Sequence, residues 1–311
     1  MTQTISVVTP VFNEETNIVA LVDRVLDVLA PLPYEVEIII ADDGSGPTTA
    51  RILDDLCRRR PEVGVVRLSR NFGHQAALTA GIDHARGDAV IVMDSDLQHP
   101  PILLPQMLQY WQEGFDVVYT VREEDETVGV LKRITSRVFY QMFNAMSDTE
   151  VPARAADFRL MSRAAADALR GMRERARFLR GLSVWIGFPQ IAISYKAASR
   201  ASGRSKFSVR KMLKLGTDGI LSMSTLPLRI ALWLGMALSS LSFAYLVYII
   251  WAFFFTNRAI VGWSSLIVAI LFLGGLQINI LGIIGLYIAK TYEETKQRPI
   301  YIVREKVGRL A

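Results

Sequence analysis

Two carboxylates and an amide, Asp94, Asp96 and Gln98, stand two residues apart just after the apolar run Ala89 to Met93. Such a run reads as a fully buried parallel strand. In extended backbone the two-residue spacing turns all three side chains to one side. Pro100 and Pro101 then stop further pairing. Strand carboxyl ends are where open α/β sheets build ligand sites. Three hard oxygen donors there suit Mg2+ or Mn2+ carrying a phosphate ligand. The competing reading has Asp94 and Asp96 capping the next helix in water.

Three further strand ends are polar: Asn13 and Glu14, Asp42 and Asp43, Arg70 and Asn71. Any one pair reads as a helix cap or turn. All of them on one rim favour a site. Neither Gly-x-Gly-x-x-Gly nor a P-loop is present, which leaves nucleotide contact through carboxylates and a metal.

The elements that must position these residues alternate. Ile5 to Val11, Val36 to Ala41, Gly64 to Leu68 and Ala89 to Met93 have strand character. Between them lie three helical patterns. The first covers about 15 to 30 with Ile18, Leu21, Val22, Val25 and Leu29 on one face; the second is Ala50 to Arg60, capped by Thr48 or Thr49; the third carries Ala76, Ala77, Ala80 and Ile82. This order predicts an α/β domain with a Rossmann-like, mostly parallel sheet and helices on both faces. A helix over 102–114, a strand over 116–120, a helix from Lys132 to Met146, a short strand over 157–161, a helix capped by Ser162 and a strand from Ile191 to Tyr195 complete a domain spanning 1–206.

The last third differs. The 311 residues are 51% apolar, with net charge +5 and a sequence pI near 9.3. Lys and Arg cluster beside apolar segments, so a membrane accounts for the basic balance better than nucleic acid does. Residues 207–226 alternate Arg210, Lys211 and Lys214 with Met212, Leu213 and Leu215, as an interfacial amphipathic helix does. Two apolar segments within 227–289, Pro227 to Phe255 and Val261 to Ala289, each exceed the ~20 residues a bilayer requires. Basic residues flank the pair on both sides, whereas the connecting loop holds only Arg258. The positive-inside rule then predicts a multi-pass hairpin in the inner or plasma membrane, with the 1–206 domain, both termini and a 290–311 tail cytoplasmic. Gly274, Gly275, Gly282 and Gly285, with the extended Ile300 to Val303, suggest subunit contacts and a homo-oligomer. The single cysteine, Cys57, excludes an intrachain disulfide and a cysteine-only zinc site.

Val8 to Glu15, Asp42-Asp43-Gly44-Ser45 and Asp94-Ser95-Asp96-Leu97-Gln98-x-Pro-Pro resemble glycosyltransferase family 2. Arg70 to His74, Asp157 to Leu160, Arg177 to Gly181 and the two-span end are similar to its polyprenyl-phosphate branch, which includes bactoprenol glucosyltransferases and dolichol-phosphate mannose synthases. The resemblance covers nearly the whole chain. It implies a GT-A domain that transfers a sugar from a nucleotide sugar to a lipid phosphate with inversion. Asp94, Asp96 and Gln98 would surround the Mg2+ or Mn2+ and the diphosphate. Pro10, Phe12, Glu14 and one of Asp42 and Asp43 would hold base and ribose. Arg200, Ser205 and Lys206 would close over the donor phosphates, and Arg122, Lys132, Arg133 and Ser136 would receive the lipid phosphate. Asp157 would be the family's catalytic base. A phosphate monoester already carries about −1.5 to −2 charges at pH 7, so orienting the acceptor or stabilising positive charge on the sugar is an alternative role. Another pairs Asp157 structurally with Arg159 or Arg180.

The implied reaction joins glucose from UDP-glucose to undecaprenyl phosphate. GDP-mannose or a UDP-linked amino sugar is the alternative donor. A non-catalytic membrane scaffold is the alternative of a different class. The family's Asp-Gly-Ser-x-Asp reads Gly46-Pro47 here, and the Gly before Asp-Phe-Arg-Leu is Ala156.

Overall fold

The computed structural model describes residues 2–123, 152, 155–175, 177–196, 226–256 and 262–311. Strands and helices alternate as the apolar pattern requires: β1 (Gln3–Val11), α1 (Ile18–Leu29), β2 (Tyr34–Asp42), α2 (Pro47–Arg59), β3 (Val63–Leu68), α3 (His74–His84) and β4 (Ala89–Val92). A 3-10 turn, Pro101–Leu103, leads into α4 (Leu104–Gln112) and β5 (Val117–Arg122). Then come β6 (Ala155–Ser162), α5 (Arg163–Gly171), α6 (Leu179–Trp185) and β7 (Gln190–Tyr195). Two long helices, α7 (Leu226–Thr256) and α8 (Trp263–Thr295), precede β8 (Val303–Gly308).

The eight strands form one sheet in the order β7-β5-β6-β4-β1-β2-β3-β8. Its centre is parallel: β1 pairs with β2 and β4, and β2 with β3. β6 runs antiparallel between β4 and β5, β7 is parallel to β5, and β8 is antiparallel to β3. The sheet is therefore mixed around a parallel core. Register places Val11 opposite Asp42 and Val8 opposite Val92, so the loops after β1, β2 and β4 leave from one edge.

Side chains alternate between two layers, as a pleated strand requires. Ile5, Val7, Ile38, Ile40, Val63 and Val65 join α1, α2 and α4 in the main core. Val8 and Ala41 point to the other face, against α3. A Cβ built on Gly81 of α3 would lie 2.2 Å from Val8 Cγ1. The missing side chain is what lets α3 lie flat on β1.

One helix start differs from expectation and another agrees with it. α2 begins at Pro47 with Gly46 as its N-cap, rather than with a cap from Thr48 or Thr49. Proline at the first helical position lacks only a donor that would have no partner there. The Gly46 N–H instead donates to Asn13 Oδ1 at 2.9 Å. Ser162 does cap α5, accepting from the Ala165 N–H at 3.2 Å.

The described residues divide into two compact units: those up to 196 together with Arg298–Ala311, and those between 226 and 297. The expected 290–311 tail divides between a helix and a strand. α8 continues to Thr295, and Val303–Gly308 then closes the β3 edge of the catalytic sheet. Leu310 fills the space beside Gly64. Within the second unit, α7 and α8 are long and apolar enough to cross a membrane, with windows Leu228–Tyr245 and Phe272–Thr295 of mean hydropathy 1.3 and 1.8. The expected helix over 207–226 (all but its last residue), the expected helix over 132–146 and residues 257–261 between the two spans lie outside the described residues.

Restoring a side chain at Gly81 should overpack the α3–β1 contact. Gly81→Ala is expected to cost about 1–3 kcal/mol and to displace α3, whose first residue is His74. Chemical unfolding of the detergent-solubilised protein measures the loss; unchanged stability would contradict the close packing.

Candidate functional site

β4 ends at Val92, and Asp94 to Gln98 form a turn rather than an extended segment, with Leu97 at φ 62°. The period-two alternation survives in burial nonetheless: Asp94, Asp96 and Gln98 are half-buried, while Ser95, Leu97 and His99 are buried. Asp96 Oδ1 accepts from the Gln98 N–H at 3.1 Å, which closes the turn. The Asp94 N–H donates to His99 Nδ1 at 2.9 Å. That bond leaves the ring proton on Nε2, which lies 3.6 Å from Asp94 Oδ2. The His99 ring stacks on Phe158 at 5.1 Å, and Tyr195 meets both rings edge-on. The turn therefore rests on an aromatic floor built from β6 and β7.

Asp94 Oδ1 is buried and accepts no hydrogen bond. Beside it, at 3.5 Å, is His74 Nε2, which is also 3.6 Å from Asp157 Oδ2. Asp157, in β6, is only 7% exposed. Its two oxygens accept from Arg180 Nε and Nη2, each at 2.8 Å, in a bidentate pair. So Asp94, His74, Asp157 and Arg180 form one charged row drawn from the β4 loop, α3, β6 and α6. Burial alone would raise the Asp157 pKa, but the Arg180 charge and the His74 and Arg180 hydrogen bonds hold it well below the usual carboxylate range. Burial disfavours a charged His74 ring, yet the Asp157 bond and the Asp94 and Asp157 charges outweigh it and raise its pKa. Arg159, two residues from Asp157, turns away. It donates to Ala156 O at 2.8 Å and to Ser183 Oγ, and burial pulls its pKa down to about 10.

The β1 and β2 loops are stitched together alongside. Asp42 is fully buried; Oδ1 accepts from the Ser45 N–H at 2.9 Å and Oδ2 from Arg67 Nε at 3.0 Å. Asp43 spends both oxygens on backbone N–H groups of the β3–α3 loop, Phe72 at 2.7 Å and Gly73 at 3.0 Å. Burial nevertheless raises its pKa, those two bonds opposing. Gly44 has φ +70°, and a Cβ there would lie 2.5 Å from the Arg70 carbonyl carbon. No other residue fits the turn. Pro10 is buried in β1, Phe12 is 40% exposed, and Glu14 is half-buried. Arg122 is exposed at the end of β5, opposite Tyr195 of β7. Burial raises the Tyr195 hydroxyl pKa, with Arg122 opposing and Asp94 adding to the rise.

The structure thus brings Asp94 and Asp157 together through His74 and keeps Asp96 and Gln98 on the same turn. Lys132, Arg133, Ser136, Arg200, Ser205 and Lys206 lie outside the described residues. Sequence reasoning gave no role to Arg67 or Tyr195. Arg67 carried a signal, a lone charge inside the apolar Val63–Leu68 strand.

Arg180→Gln would leave Asp157 buried with only the His74 ring beside it. A loss of about 3 kcal/mol is expected at neutral pH. In the native protein the pair's contribution is complete above the ordinary carboxylate pKa and is lost as pH falls through the depressed Asp157 value. In the variant only His74 still opposes burial, so the Asp157 pKa rises and the deficit should narrow from pH 7 to pH 5 as it takes up a proton. Unfolding measured at both values decides; a deficit that widens toward acid would contradict this account.

A family model described as glycosyl transferase family 2 matches residues 6–170. Relatives extend the match to nearly the whole chain. A prophage bactoprenol glucosyl transferase homolog of Escherichia coli (strain K12) is 41% identical over 96% of this chain and 98% of its own length. The bactoprenol glucosyl transferase of Shigella phage SfV is 40% identical over 97% and 98%. An uncharacterized glycosyltransferase of Bacillus subtilis (strain 168) is 40% identical over 97% and 94%. With that match spanning the β1, β2 and β4 loops, the chain belongs to glycosyl transferase family 2 and is a glycosyltransferase.

Proposed function

We propose that the chain transfers glucose from UDP-glucose to a polyprenyl phosphate at a membrane surface, inverting the anomeric carbon. One observation carries the reading. Asp94 holds a buried oxygen with no hydrogen bond, 3.5 Å from His74 of the His74–Asp157–Arg180 row, in a chain 40% identical to the bactoprenol glucosyl transferase of Shigella phage SfV. A buried carboxylate oxygen without a donor is unfavourable unless a cation meets it. Asp96 and Gln98 add hard oxygens on the same turn, and that donor set fits Mg2+ or Mn2+. Among the described residues no group of three His, Cys, Asp or Glu could hold a metal. Oxygens of the donor diphosphate would therefore complete the shell. When bound, the ion neutralises charge on the departing nucleoside diphosphate.

The chain's own residues do the rest. Phe12 offers a ring, and Pro10 and Glu14 flank it, for base and ribose. Asp42 and Asp43 shape that site by fixing the loops, since their oxygens are spent within the rim. Arg200, Ser205 and Lys206 for the donor phosphates, and Lys132, Arg133 and Ser136 beside Arg122 for the lipid phosphate, rest on the family resemblance. Asp157 is a weak base, because Arg180 and His74 hold its pKa well below the usual carboxylate range. Its role in this reading is to orient those two groups toward Asp94. The two apolar helices anchor the chain as a hairpin with both ends cytoplasmic, and their glycines, open within 4 Å among the described residues, are the surface for association with further copies.

Incubating the full-length protein with radiolabelled UDP-glucose, GDP-mannose and UDP-N-acetylglucosamine, each with undecaprenyl phosphate, tests the reading. Glucolipid from UDP-glucose alone is expected. Chelation should abolish transfer and Mg2+ or Mn2+ should restore it, whereas full activity in excess EDTA would end the metal assignment. Asp157→Asn should lower kcat by about 100-fold and equally at pH 6.5 and 8.5, with UDP affinity unchanged. Recovery at the higher pH would return Asp157 to the role of base.

A further inference from the structure

Register sets three charges side by side across three strands. Arg67 of β3 stands opposite Asp42 of β2 on one side and Glu305 of β8 on the other. All three point to the face covered by α2, because Ile40, Val65 and Val307, two residues away on each strand, lie in or against that core. Arg67 Nε donates to Asp42 Oδ2 at 3.0 Å, Nη2 to Asp54 Oδ1 at 2.9 Å and Nη1 to Glu305 Oε1. Asp42 is fully buried and Arg67 nearly so, whereas Glu305 reaches solvent. The row runs on into the rim. Asp42 Oδ1 accepts from the Ser45 N–H at 2.9 Å, and Ser45 Oγ accepts from the Asn13 N–H at 3.0 Å. Asn13 sits at φ 52°, a left-handed conformation costly for most side chains, between Phe12 and Glu14.

We propose that Glu305, on the strand that follows the second apolar helix, is a positioning residue for the nucleotide-sugar site, acting through Arg67 on Asp42 and thence on the loop of Phe12 and Glu14. The proposal rests on the reading that Phe12 and Glu14 border the donor. The physical argument is one of competition. Arg67 serves three carboxylates, and each fixes one edge of a planar fork. With Glu305 in place, Nη1 is held at the β8 side and Nε stays aimed at Asp42. Without it, the guanidinium is free to turn toward Asp54, and buried Asp42 loses the geometry of its counter-charge. Nothing about Glu305 requires it to touch substrate. Its influence should therefore fall on donor binding and not on the chemical step.

The test uses the full chain in nanodiscs, with UDP affinity by calorimetry, KM for UDP-glucose, kcat and Tm. Glu305→Gln should raise the UDP Kd and the donor KM by about three- to tenfold, with kcat within about twofold. Glu305→Asp keeps the charge and should recover part of the loss, which also covers the case in which Glu305→Gln folds poorly. Asp42→Asn combined with Glu305→Gln should be less than additive, since both act on one network. Tyr301→Phe cuts a different anchor of the tail, the 2.7 Å bond to Asp83, and should lower Tm without moving the UDP Kd. If Tyr301→Phe weakens UDP binding as much as Glu305→Gln, β8 only stabilises the fold and the proposal falls. If Phe12→Ala weakens UDP binding and Glu305→Gln does not, the proposal alone falls. If Phe12→Ala leaves UDP binding unchanged, the donor-site reading fails and takes the proposal with it.

Discussion

A carboxylate removed from water needs a positive charge or several N–H donors, and the rim of this sheet is built by meeting that need repeatedly. Asp42 is met by Arg67 and the Ser45 N–H, Asp43 by two backbone N–H groups, and Asp157 by Arg180 and His74. Each solution joins elements distant in sequence. β2 is tied to β3, the β2 loop to the start of α3, and β6 to α6 and α3. Loops that would otherwise be mobile are thereby fixed by the acids they carry. Asp94 departs from the pattern, since its Oδ1 is buried and has no hydrogen bond. That oxygen has only the His74 ring near it, at 3.5 Å, and it is the atom to which the proposed function assigns the cation.

The parallel core was legible because buried parallel strands read as continuous apolar runs, and helices between them show a 3.6-residue period. The positions of Asp94, Asp96 and Gln98 were legible for a related reason. Their two-residue spacing predicts side chains on one side of an extended backbone; the backbone there is a turn, and what the three share is partial burial. What hid the turn is Leu97, whose positive φ no propensity would suggest for a branched aliphatic side chain. The choice between Arg159 and Arg180 as partner of Asp157 could not be made from the chain alone. Arg159 lies two residues away on the same strand and would share its face. Only tertiary packing shows its guanidinium committed to carbonyls and Ser183, leaving Arg180 to reach across from α6.

β8 escaped sequence reading for the opposite reason. Val303-Arg304-Glu305-Lys306-Val307-Gly308 has charges at its centre and reads as a solvated tail. Edge strands are often charged, because exposed backbone groups invite pairing with other chains and charge discourages it. Here Arg304, Glu305 and Lys306 are exposed while Val303 and Val307 are half-buried, an edge strand's signature. Gly308, at φ +69°, ends it where a Cβ would lie 2.5 Å from Val63 O.

The order of elements along the chain then acquires a consequence. The two apolar helices lie in sequence between β7 and β8, and these strands are the two opposite edges of the sheet. The hairpin is thus an insertion in the catalytic domain's fold, not an appendage to its end. A polyprenyl acceptor keeps its chain in the bilayer, and drawing it into water would cost about 0.8 kcal/mol per CH2. An enzyme that works on such a lipid gains by being held at the interface. An anchor at one terminus could provide that and still be lost without harm to the fold. An anchor enclosed between two edge strands cannot, because any truncation that removes it also removes β8, uncovers the β3 edge and takes Glu305 from Arg67. On the proposed function, folding of the sugar-nucleotide domain and attachment to the lipid's own phase are parts of a single connectivity.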